Sequence, residues 1–374
     1  MKTFRIRKYT RQVLFLLVAL FCLLLCGIAS AAKVTIPAGV TSIAAETFYK
    51  DTAVTEVYLP DTVTKIGPRA FADSGLKKIR LSSGLKSIDP TAFDGIDTLE
   101  VEVKAGTWAA KWLKANRDRF PMPSSYFEYT VLQDNTIRID KYIGPDDEEN
   151  IRIPKAISQK RVTVIGEGAF SDREGLGGTL VIPDSVILIG DSAFDGCSGF
   201  TGSLTIPDSV TTIEKKAFWN CGGFTGSLTI GNSVATSGNS AFNGNWRFTG
   251  SLTIPASVTG IGNYAFYGCS GFTGSLVIPS GVGSIGDSAF ENCTGLSGDL
   301  TISDGVQRIE QYAFYNCTGF ASDLTVPASV TGIGARAFTG CTNVAAVYVD
   351  RDSVAHTWFT ENGFSDKLVV LENT

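Results

Sequence analysis

The stretch "LTIPDSVTTIEKKAFWNC", residues 204–221, recurs along the chain at intervals of 24 residues. It returns as "LTIGNSVATSGNSAFNGN" at 228–245 and as "LTIPASVTGIGNYAFYGC" at 252–269. The phenylalanine of its "AF" dipeptide marks this period at Phe170, Phe194, Phe218, Phe242, Phe266, Phe290, Phe314 and Phe338. The same feature occurs upstream at Phe48, Phe71 and Phe93, with spacings of 23 and 22 residues. The chain is therefore built from repeats.

Each repeat predicts one short strand followed by an irregular or short helical return. Leu204 and Ile206 flank Thr205, an alternation that is typical of a strand with one buried face. Pro207 ends the strand because it has no N–H to donate. The apolar residues that follow at turn-like or helical spacing are Val210, Ile213, Ala217, Phe218, Cys221 and Phe224. Such a unit buries its apolar face only against its neighbours, so the sequence predicts a solenoid with parallel strands about 4.8 Å apart.

The pattern "IPDSV…IG…SAF…C" within residues 182–197 resembles the BspA-like subclass of leucine-rich-repeat proteins. The resemblance extends over nearly all of the chain after residue 31. It implies an α/β repeat solenoid, a right-handed leucine-rich-repeat superhelix with a short-stranded parallel sheet. It also implies a bacterial or protozoan surface protein, since several members of this subclass are adhesins that bind host matrix proteins.

The first 31 residues predict a secretory signal peptide that is cleaved after Ala31. The opening "MKTFRIRKYTRQ" carries five basic residues and no acidic one, and the apolar run "VLFLLVALFCLLLCGIA" and a small-residue site follow. The alternative is an uncleaved membrane anchor, for which a run of about 17 residues is only marginally long enough. Cys22 and Cys26 lack the preceding small residue that favours lipidation. We therefore expect export, with the protein secreted or held at the cell surface.

Two segments that align with an offset of 246 residues predict the ends of two repeat blocks. They are "VEVKAGTWAAKWLKAN" (101–116) and "VYVDRDSVAHTWFTEN" (347–362), each a strand and a short amphipathic helix that places Trp112 or Trp358 over the end of the stack. The predicted domains are the signal peptide 1–31, a first block 32–121 and a second block 122–374, joined through "FPMPSS" (120–125). The segment 127–144 alternates around a turn at Asp134 and Asn135, which predicts a β-hairpin cap on the second block.

The charge balance disfavours nucleic acid as a ligand. Without the five basic residues of the predicted signal peptide, 27 Lys and Arg stand against 37 Asp and Glu, a net charge of −10. Binding to a phosphate backbone requires clustered Lys and Arg. After residue 31 no segment is apolar enough to cross a membrane, and we expect a monomer.

Six cysteines occupy one position of successive repeats: Cys197, Cys221, Cys269, Cys293, Cys317 and Cys341, and Asn245 replaces the cysteine once, between Cys221 and Cys269. Stacking turns this position into a column of small, weakly polar side chains that suits a buried corner. A zinc site requires C-x-x-C pairs or additional histidines. Disulfides are the rival interpretation, because an exported protein meets an oxidising compartment and neighbouring cysteines lie within bridging range. Parallel stacking points the Cβ atoms the same way, which favours buried free thiols.

No constellation in the sequence indicates catalysis. The one histidine, His356, falls on the predicted terminal helix without a partner that would make it a general base. The abundant glycines are turn residues of the repeat and not a phosphate-binding loop. The acidic "GPDDEEN" (144–150) lacks the alternating ligand spacing of a calcium loop. We therefore expect a protein that is not an enzyme and uses no cofactor or metal.

The exposed face of the predicted strands is a candidate ligand-binding surface. Its outward residues are mostly threonine, and serine often stands two positions earlier. The candidate residues are Ser203, Thr205, Ser227, Thr229, Ser251, Thr253, Thr301 and Thr325. We expect this hydroxyl ladder on the concave side, where solenoids usually bind. The ordinary β-propensity of threonine explains the same pattern without a ligand.

A second candidate is an aromatic stripe on the return side, formed by Trp219, Tyr264, Tyr267, Tyr312 and Tyr315. Three of these residues follow the period-marking phenylalanine in every second repeat, about 10 Å apart when the repeats stack. Exposed aromatic residues are frequent in protein contacts. The alternative is that the rings pack on one another between repeats or turn partly inward.

One repeat departs from the pattern. It carries Ser237 in place of isoleucine, Asn245 in place of cysteine, and the pair Trp246 and Arg247. A polar group at a core position costs stability unless it is hydrogen-bonded. The repeat is either a local bend or part of a site, and the bend is the favoured interpretation.

Together these features predict a secreted or cell-surface leucine-rich-repeat protein that binds host or neighbouring-cell proteins in the manner of an adhesin. Its partner is an extracellular protein or glycan. One alternative is a module that binds glycans or cell-wall polymers through the hydroxyl and aromatic residues. Another is a structural spacer in a surface layer. A threonine array that faces ice is the most remote alternative, because Val181 and Val277 interrupt the array.

Overall fold

The structure is a computed structural model that describes residues 32–96 and 99–372, so the predicted signal peptide lies outside the described residues. The chain divides into two compact units, residues 32–123 and 124–372. In each unit most coils contribute one short strand to each of two separate ladders. We call the ladder of the "LTI" strands the first ladder and the ladder that follows it in each coil the second ladder.

The first unit contains three coils and a closing strand. Its first ladder is parallel and consists of Ala32–Thr35, Val54–Tyr58, Lys78–Arg80 and Glu100–Glu102. Its second ladder consists of Ser42–Ile43, Lys65–Ile66 and Ser87–Ile88. An α-helix, Trp108–Ala115, and a 3₁₀ turn, Arg117–Arg119, follow the last strand.

The second unit opens with a 3₁₀ turn, Ser124–Tyr126, and an antiparallel hairpin, Phe127–Val131 with Ile137–Tyr142. Its second ladder continues from the hairpin through Lys160–Ile165, Leu188–Ile189, Thr212–Ile213, Thr236–Ser237, Gly260–Ile261, Ser284–Ile285, Arg308–Ile309 and Gly332–Ile333, with Ala156–Ile157 antiparallel to the first of these. Its first ladder forms three groups. They are Glu149–Arg152 with Gly177–Val181, then Leu204–Thr205 with Leu228–Thr229, then Leu276–Ile278, Leu300–Ile302, Leu324–Val326, Val347–Asp350 and Leu368–Leu371.

The pairing register equals the sequence period. Thr212 pairs with Thr236, and Leu276 pairs with Leu300, so residues 24 apart become neighbours. This confirms the solenoid. The segment that follows the first strand of each repeat was predicted to be irregular or a short helix. In the structure it contains a second short strand, and residues 215–220 form turns and not a helix. These turns are also tied from coil to coil, since the N–H of Phe218 donates to the carbonyl of Ala241 at 2.8 Å and this bond recurs along the unit.

The period-marking phenylalanines form a continuous stack inside the coils. The ring centroids of Phe218 and Phe242 lie 5.5 Å apart and their planes differ by 1°. Along the second unit, successive rings are 4.9 to 5.5 Å apart and within 16° of parallel. Each offset pair contributes about 0.5–1.5 kcal/mol beyond the burial of its area. The core is therefore a repeated column that runs along the unit.

Each stack ends against packed aromatic side chains. Trp112 lies 6.3 Å from Phe93, on the helix that begins after the Thr107 cap. In the second unit the closing helix is Val354–Glu361, whose Phe359 is fully buried at 5.0 Å from Phe338. Trp358 lies beside it, 5.7 Å from the same ring. The strand Leu368–Leu371, which follows this helix, was not predicted.

Candidate binding surface

The outward residues of the first ladder form a column in the second unit together with Thr253 of the unpaired segment 252–254: Thr205, Thr229, Thr253, Val277, Thr301 and Thr325. The first three are exposed and Val277 is 51% exposed, whereas Thr301 and Thr325 are half-buried. Their neighbours along each strand are buried, so the alternation of the strand fixes which side chains point outward. Within the part of the chain that the structure describes, Thr205, Thr229 and Thr253 make no side-chain hydrogen bond. Their hydroxyls are therefore available to a ligand.

Two of the serines that stand two positions before these residues form hydrogen bonds between coils. The Ser203 hydroxyl accepts the backbone N–H of Ser227, and the Ser275 hydroxyl accepts that of Asp299, each at 3.1 Å. These side chains therefore link one coil to the next, as Asp299 does in turn for Asp323 at 3.2 Å. The serine positions thus have a structural role that the sequence did not indicate.

A further column of hydroxyl residues was missed by the sequence reasoning. Thr201, Thr225, Thr249 and Thr273 are all exposed and stand two residues before the serines. The Thr225 hydroxyl accepts the N–H of Gly202 at 3.3 Å, and the Thr249 hydroxyl donates to the carbonyl of Thr225 at 3.2 Å. The recurring sequence "FTGS" indicated this column, but its glycine was interpreted only as a turn residue and its threonine was not considered. With it, a single coil exposes up to three hydroxyl residues in a row.

The first ladder is interrupted in the irregular repeat. Residues 252–254 belong to no strand, although Leu252 and Ile254 remain buried. The interruption follows Arg247, which occupies a position that is glycine in the other full-length repeats, at Gly199, Gly223, Gly271, Gly295 and Gly319. A Cβ atom at any of these glycines would lie 2.0–2.4 Å from a carbonyl oxygen of the preceding coil.

Arg247 carries such a Cβ atom, and the segment that follows it, residues 252–254, does not pair in the first ladder. The stack of period-marking phenylalanines is slightly wider at this repeat, whereas the rings of Phe224 and Phe248 remain 5.5 Å apart. The two pairs that include Phe242 are separated by 5.5 and 5.4 Å, whereas the other pairs between Phe170 and Phe338 are 4.9 to 5.3 Å apart. The irregular repeat is therefore one of two breaks in the first ladder of the second unit, and the other lies between Gly177–Val181 and Leu204–Thr205.

The two polar replacements in this repeat are buried. The Ser237 hydroxyl has no hydrogen-bond partner in the structure and lines a cavity of about 10 Å³ with Ile213 and Ile261 of the adjacent coils. Asn245 donates from Nδ2 to the carbonyls of Phe218 at 2.8 Å and Phe242 at 2.9 Å. Neither side chain reaches the surface, so they do not extend the candidate binding surface.

The six repeat cysteines are buried free thiols, so the disulfide interpretation is wrong for this structure. Each thiol donates to a phenylalanine carbonyl 27 residues earlier, at 2.9–3.2 Å. Burial raises the pKa of the Cys197 and Cys269 thiols to about 12. A thiol with so high a pKa is a poor nucleophile and metal ligand at neutral pH.

The aromatic stripe consists of pairs that form inside single coils. The rings of Tyr264 and Tyr267 are 5.9 Å apart, and those of Tyr312 and Tyr315 are 5.4 Å apart in an edge-on arrangement. Trp219 lies under the Lys216 ammonium, which is 4.3 Å from its ring centroid. Trp219 and Tyr264 are exposed, and the other three rings are half-buried. The rings contact one another within a coil, an arrangement that the sequence reasoning did not foresee.

The remaining candidates have structural partners. His356 donates its backbone N–H to the Ser353 cap and accepts the N–H of Asp352 through Nδ1. Asp146 of the acidic segment pairs with Arg173.

Across residues 32–96 and 99–372 there is no cluster of three metal-ligating side chains. In the same ranges no helix is both long and apolar enough to cross a bilayer.

Comparison with solved structures finds bacterial leucine-rich-repeat proteins. The chain is 24% identical to one from Bacteroides ovatus ATCC 8483, with 91% of this chain and 77% of the other covered and a TM-score of 0.46. It is 22% identical to the T. pallidum leucine-rich-repeat protein, with 67% and 98% covered and a TM-score of 0.43. A leucine-rich cell surface protein from Faecalibacterium prausnitzii A2-165 is 20% identical, with 87% and 89% covered and a TM-score of 0.30. No curated protein sequence matches the chain.

A family profile matches directly. The profile of the BspA type leucine-rich-repeat region matches residues 25–104, 141–273 and 272–365, in six copies. These ranges cover most of the chain and include every period-marking phenylalanine. The stacked phenylalanines and the cysteine corner are the physical counterpart of that repeat. The chain therefore belongs to the BspA-type leucine-rich-repeat family.

Proposed function

We propose that this protein is a non-enzymatic binding protein of the cell exterior that acts as an adhesin and engages a protein on a host or neighbouring cell. Export is supported by the signal-peptide pattern of residues 1–31. Protein binding is supported by membership of a leucine-rich-repeat family, in which the stacked repeats present an extended surface.

The observation that carries the proposal is the column Thr205, Thr229, Thr253 and Val277. It combines hydroxyls without intramolecular partners and one exposed apolar side chain on a surface set by the solenoid core. A surface that is already ordered loses little conformational entropy when it binds. Apolar contact at the centre with hydrogen bonds around it is typical of protein interfaces.

The test is a solid-phase binding screen of the purified full chain against extracellular matrix proteins. We expect at least one of them to bind, and Thr229→Lys and Val277→Lys each to weaken that binding by about tenfold, because a lysine would be buried unpaired in the interface. Thr236→Lys is the matched control, since Thr236 is also an exposed strand threonine but lies on the second ladder. Absence of binding across the panel, or an equal loss in the control, would refute the proposal.

A separate experiment tests export. It determines the N-terminal residue of the protein that is recovered outside the cell. We expect it to begin at Ala32, because cleavage follows the small-residue site that ends at Ala31. Intact-mass measurement distinguishes this product from the full chain. A full-length chain held in the membrane fraction would support the uncleaved anchor instead.

A further inference from the structure

Three large side-chain pairs recur in alternate coils of the second unit, and we call them the rungs. They are Lys216 with Trp219, Tyr264 with Tyr267, and Tyr312 with Tyr315. The two members of each rung are three residues apart and contact each other within the coil. The intervening coils carry small or polar residues at these two positions, Ser240 with Asn243 and Ser288 with Glu291.

The coil spacing fixes the distance between rungs. Between Phe218 and Phe314, successive phenylalanine rings are 5.2 to 5.5 Å apart. Successive rungs are two coils apart, so they repeat at about 10 Å, twice the spacing of neighbouring strands. Asn243 and Glu291 lie half-way between them. Along the direction of coil stacking, coils with a rung therefore alternate with coils that carry a polar residue at the same position.

The rung tyrosines occupy a backbone position that the repeat fixes. Tyr264 and Tyr312 have φ values of 57° and 59°, in the left-handed region. Their N–H groups donate to the next coil, to Asp287 at 2.8 Å and to Ala335 at 3.2 Å, so the coil-to-coil bonding fixes this conformation. The other coils share this conformation, with φ values of 60° at Ser240, 52° at Ser288 and 57° at Arg336, so it belongs to the repeat and accepts side chains of different size.

We propose that the rungs bind a neutral, extended β-1,4-linked glucan chain that lies along the direction of coil stacking. All its hydroxyls are equatorial, so both faces of each sugar present axial C–H groups that stack on aromatic rings. Successive sugars are turned over, so the same face recurs at every second sugar. Each sugar also advances the chain by about one coil spacing. A rung then lies under every second sugar, with the Asn243 amide and the Glu291 carboxylate beside the hydroxyls between them.

Charge selects a neutral glycan. Glu291 lies between the second and third rungs, Lys216 belongs to the first, and the Arg336 guanidinium lies 5.9 Å from the Tyr312 ring centroid. Charges of both signs therefore stand along the row, and neither a polyanion nor a polycation matches it throughout. The rungs share no residue with the threonine column of the proposed adhesin surface. The two proposals therefore succeed or fail independently.

The test is isothermal titration of the full chain with cello-oligosaccharides from cellobiose to cellohexaose. Trp219, Asn243, Tyr267, Glu291 and Tyr315 occupy five successive coils, so a chain must have about five sugars to reach all three rungs. We expect affinity to rise by about tenfold or more between the trisaccharide and the hexasaccharide. Trp219→Ala and Tyr267→Ala should each reduce it by about tenfold. Trp246→Ala is the matched control, since Trp246 is 57% exposed but belongs to no rung.

Several outcomes would overturn the proposal. They are no binding of cellohexaose at about 1 mM, equal binding of the α-linked maltohexaose, or an equal loss of affinity in Trp246→Ala. Binding of chitohexaose in place of cellohexaose would also overturn the assignment to a glucan. The midpoint temperature of thermal unfolding is measured for each variant. A midpoint equal to that of the parent protein shows that the variant has lost a ligand contact and not the fold.

Discussion

The thiol of Cys269 donates a hydrogen bond to the carbonyl oxygen of Phe242, 27 residues earlier in the chain, at 3.2 Å. Asn245 makes the equivalent bond to Phe218 at 2.8 Å through its amide nitrogen. The corner position therefore selects a short side chain that has a hydrogen-bond donor, which explains why cysteine and asparagine replace each other there. The cysteine of the repeat is a structural residue.

The buried thiols predict a loss of stability in alkaline solution. Burial raises the pKa of Cys197 and Cys269 from 9.0 to about 12, so the folded state keeps protons that the unfolded state releases. This stabilisation is complete below about pH 9 and is lost as the pH rises towards about 12. We expect the free energy of unfolding to fall by about 1.4 kcal/mol per pH unit for each such thiol in this window.

Urea unfolding at a series of pH values measures this dependence. Cys269→Asn is the informative variant because asparagine is native at the equivalent position 245. We expect its slope between about pH 9 and pH 11 to be smaller by the contribution of one thiol. A slope equal to that of the parent protein would show that Cys269 does not titrate in this way.

Ser237→Ile is predicted to stabilise the protein. Ser237 has a buried hydroxyl without a partner, beside a cavity between Ile213 and Ile261. Isoleucine removes the desolvated hydroxyl and fills the cavity, so we expect the free energy of unfolding to rise by about 1–3 kcal/mol in chemical denaturation. Ser233→Ile, at an exposed position of the same repeat, is the control and should give no such gain. A destabilised Ser237→Ile protein would mean that the coil cannot accept the larger side chain.

Asn245 is predicted to tolerate cysteine but not leucine. Asn245→Cys keeps a donor towards the carbonyl of Phe218, as the other six corners do, and should change stability by less than about 1 kcal/mol. Asn245→Leu leaves that carbonyl without its side-chain donor and should cost about 1–3 kcal/mol. Denaturation of the two variants side by side measures the difference. Equal stabilities would refute the role of the corner hydrogen bond.

Arg247→Gly is predicted to close the break in the first ladder. Removing the Cβ atom allows this coil to approach the preceding one as the glycine-bearing coils do, so residues 252–254 should pair with 228–230. We expect backbone amide exchange at Leu252 and Ile254 to slow by about tenfold or more. Gly223→Ala is the opposite control, because its Cβ atom would lie 2.0 Å from the carbonyl oxygen of Ser198. Unchanged exchange in Arg247→Gly would assign the break to another cause.

Much of the fold followed from the spacing of a few residue types. Phe218 and Phe242 were expected to touch because they are one period apart, and they stack at 5.5 Å. The second strand, Thr212–Ile213, was not foreseen because two residues are too few to show an alternating pattern. The strand Leu368–Leu371 was missed because it follows the closing helix and matches no repeat.

The candidate surfaces were foreseen in part. The exposed threonines followed from strand alternation, which is a local property of the chain. The bonding of Ser203 to the next coil was not visible, because it joins residues 24 positions apart and depends on their side-chain orientation. For the same reason, the sequence showed the alternation of Tyr267 and Tyr315 along the chain but not their pairing with Tyr264 and Tyr312 inside single coils.

By itself the sequence determined the period, the family, and which side chains are turned into the core, since these follow from spacing and from hydrophobic burial. Only the tertiary structure decided that the cysteine thiols donate to phenylalanine carbonyls and that residues 252–254 do not pair in the first ladder. The physical reason is that hydrogen bonds and close approaches depend on distances of a few tenths of an ångström between coils. A repeat in the sequence fixes which residues become neighbours, and the packing of the coils sets how near they come.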